Sequence, residues 1–393
     1  MKVLVLNTGS STVKFSAIES EGERTLLDGQ ADWSRHPAQL VLRPAGAEPA
    51  VSTLETVGQG AAIEHILKQL HERGTDIEAV GHRIVHGGPV YTTSVRITPE
   101  VKTRLASMTD LAPLHMPINL EGIEAAQAAW PNFPHVAVFD TAFHATLSEA
   151  ARTYPIPYIW THDWQLRRYG FHGLSHAYCA DRAVHLLVRG PAGLRLVICH
   201  LGNGCSMSAV RDGKCIDTSM GLTPLEGLMM GTRSGSVDPS LLLYVLRHKG
   251  LSADDLDRLL NHESGLLGVS GVSGDMRQVQ EAAHKGNARA ALALDIYVHR
   301  LRKTIGAMAA TLGGMDALVF TAGVGENSAS IRESACQGLE YLGMELDRTA
   351  NAHCRPDADV ATSSSHCRIL VLATHEELTI VRETLRVLRA GGG

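Results

Sequence analysis

The chain has 393 residues, 20% of them charged, with a formal net charge of −5. That length allows two or three domains around large cores, and the mild negative charge argues against general affinity for nucleic acid or anionic membranes. Seven cysteines, an odd number without a C-x-x-C pair, argue against a disulfide framework or a cysteine zinc site.

The N-terminal MKVLVLNTGSS has a short apolar run that soon turns polar. It reads as a first strand (residues 3–6) rather than a signal peptide, and a cytoplasmic protein is expected. Residues 13–18 alternate well enough for a second strand after the turn Asn7 to Thr12. The same grammar returns at residues 194–199, followed by the turn His200, Leu201, Gly202, Asn203, Gly204. Strands at 206–210 and 215–217, joined at Asp212 and Gly213, follow it. Two strand–glycine turn–strand units so far apart predict an internal duplication. A third strand, 317–321, opens onto Gly323, Val324, Gly325, Glu326 and Asn327, with a helix expected over 328–342. Helices are also expected at 60–72, 120–129, 175–188, 240–248, 288–312 and 376–390, the longest stopped by Gly313 and Gly314. A domain boundary is placed where prolines and aromatics interrupt the pattern, among Tyr154, Pro155, Pro157, Trp160 and Trp164. It gives domains of 1–147, with a C-terminal helix at 378–393 returning to it, and 148–377.

Residues 224–239 read PLEGLMMGTRSGSVDP, with Gly227, Gly231 and Gly235 and a single cation, Arg233. Ordering so many glycines is costly, which suits close approach of backbone to an anionic ligand. The even glycine spacing also mimics a membrane-helix seam, but Glu226, Arg233 and Asp238 leave no apolar span. No Walker-type phosphate loop, strand-linked G-x-G-x-x-G or H-E-x-x-H is present. What remains is a set of polar groups on glycine-rich loops: Asn7, Ser10, Thr12 and Lys14; Arg83; Asp140 at a strand end; His172; Asn203 and Gly204; Asp275 and Arg277. Each has a structural alternative, such as a cap, an ion pair or a core histidine. Together they suit phosphoryl transfer, which asks for positioning and positive charge around the moving group.

At these residues the sequence closely resembles the acetate kinases, in the superfamily of sugar kinases, actin and heat-shock chaperones. The carrying motifs are NTGSSTVKF (7–15), GHRIVHGG (81–88), LAPLH (111–115), VFDTAFH (138–144), RRYGFHGLSH (167–176), HLGNG (200–204), DTSMGLTPLEGLMMGTRSG (217–235), SGLLGVSG (264–271) and FTAGVGENS (320–328). The resemblance runs end to end. It implies a duplicated ribonuclease-H-like, actin-like ATPase fold of α/β class, with two domains and a cleft between them, and a homodimer without nucleic acid or membrane partners. It implies reversible transfer from ATP to acetate, giving ADP and acetyl phosphate, with Mg²⁺ or Mn²⁺. By that pattern Asn7 and Glu376 bind the metal, Lys14 contacts nucleotide, and Arg83 binds the acyl group. Asp140 is the catalytic carboxylate, while His172 and Arg233 stabilise the transition state. His200, Leu201, Gly202, Asn203, Gly204, Asp275, Met276, Arg277, Gly323, Val324, Gly325, Glu326 and Asn327 bind ATP. Val85, Leu114 and Pro224 line the acyl pocket.

The departures from the family pattern are Thr12, Met116, Ser236, Met276 and His375, none of which removes a catalytic group. A carboxylate is already ionised at neutral pH, so Asp140 is expected to orient Arg83 or the metal rather than abstract a proton. Rival readings are a propionate or other short-chain acyl kinase, a nucleotide-gated binding module and a phosphohydrolase.

Overall fold

The computed structural model describes residues 1–391 except Arg35 and Leu114, and it divides into two compact units. Unit 1 is Met1–Ala142 with His375–Gly393, and unit 2 is Phe143–Thr374. Both crossings come a few residues before the expected 147/148 and 377/378.

Unit 1 contains β1 (Lys2–Thr8), β2 (Thr12–Glu19), β3 (Arg24–Asp32), β4 (Gln39–Pro44), β5 (Ala50–Thr53), β6 (Ala79–Ile84), β7 (Val95–Arg96) and β8 (His135–Phe139). Among the described residues they form one sheet in the order β5-β4-β3-β2-β1-β6-β8-β7. Unit 2 contains β9 (Arg195–Leu201), β10 (Cys205–Arg211), β11 (Lys214–Thr218), β12 (Ala317–Thr321), β13 (Ala358–Asp359) and β14 (Arg368–Val371), in the order β11-β10-β9-β12-β14-β13.

The two sheets share one plan. In unit 1, β1 is antiparallel to β2 and parallel to β6, β2 is antiparallel to β3, β6 is parallel to β8, and β7 is antiparallel to β8. In unit 2, β9, β10, β11, β12, β14 and β13 repeat those senses in the same positions. Unit 1 adds β4 and β5 at one edge. The duplication expected from the two glycine turns is thus the repeat of a whole sheet, and the fold is the actin-like ATPase type.

The central strands are apolar throughout because both faces are covered. Val3, Leu4, Val5 and Leu6 are all buried, as are Leu196 through Cys199 and all of β12. In unit 1, Ile63, Ile66 and Leu70 of the helix Gln59–Glu72 share a core with Leu4, Leu6 and Phe15. In unit 2 the helix Ala288–Leu312 buries Tyr297, Leu301, Ile305, Met308 and Leu312 along one stripe, and Gly313 ends it at φ 69°. The expected 328–342 helix is shorter: Ala329–Cys336 is helical, Gly338 takes φ 82°, and a single turn follows at Glu340–Leu342. Residues 224–238 form no helix. Gly227 and Gly235 adopt φ 108° and 69°, so the regular glycine spacing marks turns, not a seam. Among the described residues no helix is long and apolar enough to cross a membrane.

This plan positions the site. In open α/β sheets, ligands gather at the carboxyl ends of the parallel strands. Those ends carry Asn7, Arg83 and Val85, and Asp140 in unit 1. In unit 2 they carry the turns at Gly202 and at Gly323.

Candidate active site

In unit 1 the guanidinium of Arg83, on β6, meets the carboxylate of Asp140, the residue after β8, as a fork on a fork. Nε donates to Oδ1 at 3.0 Å and Nη2 donates to Oδ2. Nη1 donates to Oδ1 of Asn7 at 3.2 Å, and a Glu376 oxygen lies 3.9 Å from Nε. Asp140 is 2% exposed. Burial alone would weaken the Arg83 cation, but Asp140 and Glu376 more than reverse this and hold it charged. Glu376 arrives because the helix Glu376–Ala390 lies tight on β6: a Cβ on Gly81 would strike Ile380 and Thr384. The same helix is tied to unit 1 by Arg382 on Glu23 and Ser94 on Glu383.

Asn7 and Glu376 offer hard oxygen donors within one cluster, the chemistry that suits Mg²⁺. Among the described residues no group of three or more His, Cys, Asp or Glu could hold a metal, so an ion at Asn7 and Glu376 would draw its remaining ligands from water and phosphate. His375 turns its Nδ1 to Glu377 at 2.9 Å. Lys14 stands across the first hairpin from Asn7, exposed on β2 and within unit 1. Val85 is nearly buried, while Leu114 lies outside the described residues.

In unit 2 the second cation and its imidazole converge. A Cβ on Gly204 would strike Nη2 of Arg233 and stand 3.3 Å from Nε2 of His172, so only glycine leaves both groups this close to the turn. Arg233 is held by donating from Nη1 to the Pro224 carbonyl at 2.7 Å, and burial lowers its proton affinity. Pro224 therefore anchors the cation through its backbone. Gly231 passes so close to Asn203 that a Cβ would strike the Asn203 amide, and its N–H donates to the Asn203 carbonyl at 2.9 Å. His172 sits at φ 58° before the helix Gly173–Leu186, stacked on His200 at 4.2 Å between centroids.

Beside this pair is a cavity of about 820 Å³ lined by Gly202, Asn203, Asp275, Met276, Arg277, Gly323, Val324 and Asn327 among others. These eight residues from three distant loops were all expected at a nucleotide. Leu266, Gln280 and Tyr297 line it too and were not anticipated. Leu201 and Gly325 are buried behind the wall, and His200 bonds Ser175 at 2.8 Å. Glu326 faces inward: its Oε1 accepts from Ala322 N–H at 2.9 Å and Thr374 N–H at 3.2 Å. Asp275 caps the helix Met276–His284 and pairs with Arg277.

Several supporting residues escaped sequence reasoning. Asn119 accepts from Val85 N–H at 3.1 Å and donates to Thr8, tying two strand ends of unit 1. Arg168 donates to the carbonyls of Thr218, Ser219 and Met220 and to Glu226, which Tyr154 also meets, fixing the loop that leads to Pro224. Arg332, 2% exposed, donates to the carbonyls of Gly325 and Glu326 at 2.9 Å and to Asn351. Only the resemblance-bearing motifs containing Arg168 and Glu226 offered any signal for these.

Fold and site together define a nucleotide-dependent phosphotransferase of the actin-like ATPase fold. The family model described as the acetokinase family matches residues 2–382. The acetate kinase of Cyanothece sp. is 48% identical over 404 residues, spanning 99% of both chains. The crystal structure of Porphyromonas gingivalis acetate kinase matches with a TM-score of 0.92 at 41% identity, covering 98% of this chain and 99% of that one. A propionate kinase from Francisella tularensis matches with a TM-score of 0.93, also at 41% identity and the same coverage. The chain belongs to the acetokinase family.

Proposed function

We propose that this enzyme makes acetyl phosphate by direct in-line transfer of the γ-phosphoryl group of ATP to acetate. The activity is that of its family, ATP-dependent and reversible phosphorylation of acetate. The observation that carries the mechanism is the convergence of Arg233 and His172 on Gly204, beside the cavity bounded by Gly202 and Asn203. A cation and an imidazole at that point suit the equatorial oxygens of a phosphoryl group in flight.

Acetate is assigned to Arg83 with Val85 in unit 1, and the family resemblance adds Leu114 and Pro224 as acyl contacts. A carboxylate oxygen of acetate attacks the γ-phosphorus, the bond to the β,γ-bridging oxygen breaks, and ADP leaves with that electron pair. No proton has to be removed from the acceptor. Asp140 already spends both oxygens on Arg83, which supports an orienting role. Asn7 and Glu376 would hold Mg²⁺, or Mn²⁺, which when bound neutralises phosphate charge. ATP is assigned to the residues lining the unit 2 cavity, with Lys14, His200 and Gly204 as further contacts.

A homodimer is the expected state. The helix Pro239–His248 supports it, since it buries none of its residues and leaves Leu241, Leu243 and Tyr244 exposed. A cytoplasmic location agrees with the cysteine thiols, none of which is in a disulfide among the described residues. Propionate is the second reading, favoured by the equally close match to a propionate kinase. One methylene discriminates by only about 1–3 kcal/mol. Trapping acyl phosphate with hydroxylamine across acetate, propionate and butyrate tests both. The highest kcat/KM belongs to acetate if the first reading holds, and no hydroxamate from any acid overturns both.

A further inference from the structure

The hydroxyl of Ser206, on β10, lies within hydrogen-bond reach of two imidazoles. His172 Nδ1 is at 2.9 Å and His176 Nε2 at 2.7 Å. A hydroxyl has one proton and two lone pairs; were both rings to donate to it, its own proton would find no acceptor among the described residues, so it donates to one ring and accepts from the other. Ser206 is fully buried and His176 is fully buried beside it. Among the described residues, the remaining nitrogen of His176, Nδ1, has no hydrogen-bond partner.

His172 has three possible states. As an imidazolium it would donate from Nδ1 to Ser206, which would then donate to His176 Nε2. That drives the His176 proton onto Nδ1, a buried N–H with nothing to accept it, and such orphan donors are rare. It also sets a second positive charge within the ~4–6 Å at which the Arg233 guanidinium disfavours it. As the neutral Nδ1–H form, His172 leaves the same orphan donor and presents a lone pair rather than a donor from Nε2 to an arriving anionic oxygen. The neutral Nε2–H form escapes both faults. His176 Nε2–H donates to Ser206, Ser206 donates to His172 Nδ1, and His172 Nε2–H points past Gly204.

We propose that Ser206 and His176 are positioning residues that hold His172 as its neutral Nε2–H tautomer, a hydrogen-bond donor to the phosphoryl group. The inference rests on the phosphoryl-transfer reading of His172 given above. The groups around this relay agree with a neutral network. His200 stacks on His172, His144 packs edge-on against His176 at 5.7 Å, and Arg233 brings a permanent positive charge to Gly204. Burial, with His144 and His200 nearby, holds the His176 ring well below the usual histidine range, so it stays an uncharged link. Here His172 stabilises charge by donating a hydrogen bond, and Arg233 supplies the cation.

The deciding measurement is long-range ¹H–¹⁵N NMR of the wild-type enzyme labelled at histidine nitrogens, assigned with a His172→Gln variant. An unprotonated Nδ1 and a protonated Nε2 at His172, unchanged between pH 6.5 and 8, are expected. An imidazolium or an Nδ1–H tautomer in that range overturns the proposal. Ser206→Ala should lower kcat roughly 10–100-fold, the range found when a partner that orients a functional imidazole is removed. KM for ATP and for acetate should stay within about twofold. Unchanged kcat, or a loss confined to KM, overturns it as well. Wild-type enzyme that forms no hydroxamate from any short acid would instead overturn the functional reading, whatever tautomer the spectra record.

Discussion

Arg83 and Asp140 bind each other through both nitrogens and both oxygens, although 57 residues separate them in sequence. Strands β6 and β8 run parallel as neighbours, so residues at their ends meet. With a hydrogen bond from Arg83 to each oxygen, Asp140 has the geometry of a carboxylate that orients its arginine. Its effect is to fix the guanidinium plane of Arg83, the group proposed to receive the acyl carboxylate.

The two residues should therefore fail together. Asp140→Asn and Arg83→Gln should each lower kcat/KM for acetate by about two orders of magnitude or more, since misplacing a group that positions a reactant costs about 10²-fold. The double variant should lose little beyond the worse single one. Measured kcat/KM for the four enzymes closes the cycle. Losses that simply add would mean that Asp140 acts independently of Arg83.

Arg233 is a different case, because Nη1 donates to the Pro224 carbonyl while Nη2 stands against the turn at Gly204. Arg233→Ala should lower turnover by about 10³-fold or more, the scale of a lost arginine at a transferring phosphoryl group. ADP affinity by calorimetry should change by no more than a few-fold. Gly204→Ala should mimic part of this, since its methyl group occupies the space between Arg233 and His172. Near wild-type turnover in Arg233→Ala would remove the cation from the mechanism.

The readable part of the site followed from local grammar. Asn7, Gly202 and Gly323 stand where an apolar strand breaks into glycine, and a strand end is a local pattern. What sequence could not supply was pairing at a distance. Asn119 reaches Thr8 across 111 residues, and Ser206 reaches His172 across 34, with no periodicity to announce either. Strand β5 has all its residues exposed and so carries no alternation to detect. The helix expected to run to 342 stops at Cys336, where Gln337 leaves the helical region and Gly338 takes φ 82°.

Arg332 is the supporting residue whose removal should be felt most at the nucleotide. Its guanidinium gathers the last carbonyls of the turn Ala322–Asn327, which forms one wall of the cavity. Arg332→Met should raise KM for ATP at least tenfold while leaving KM for acetate within about twofold. Arg332→Lys should not restore it, because a single ammonium cannot span Asn351 and two carbonyls. Equal changes in both KM values would point to general destabilisation instead.

Acid should loosen unit 2 through its buried histidines. Burial pulls the His144 ring down to about 4, while its Nε2–H donates to the Phe171 carbonyl at 3.0 Å. A folded value below the ordinary 6.5 means the unfolded chain binds a proton that the folded chain refuses. Above pH 6.5 neither state is protonated and the group is neutral to stability. Between 6.5 and 4 stability falls as pH falls, by about 1.4 kcal/mol per pH unit, or roughly 3 kcal/mol over the window. His176, also buried and shifted down, acts in the same direction in unit 2, and buried His82 adds the same acid sensitivity to unit 1. Urea midpoints at pH 7.5, 6 and 5 should therefore fall steadily. Gln at position 144 keeps a donor for the Phe171 carbonyl and cannot titrate. His144→Gln should be the less stable protein at pH 7.5 yet lose less between pH 7.5 and 5. An identical pH slope in the variant and the wild type would show that His144 takes up no proton on unfolding.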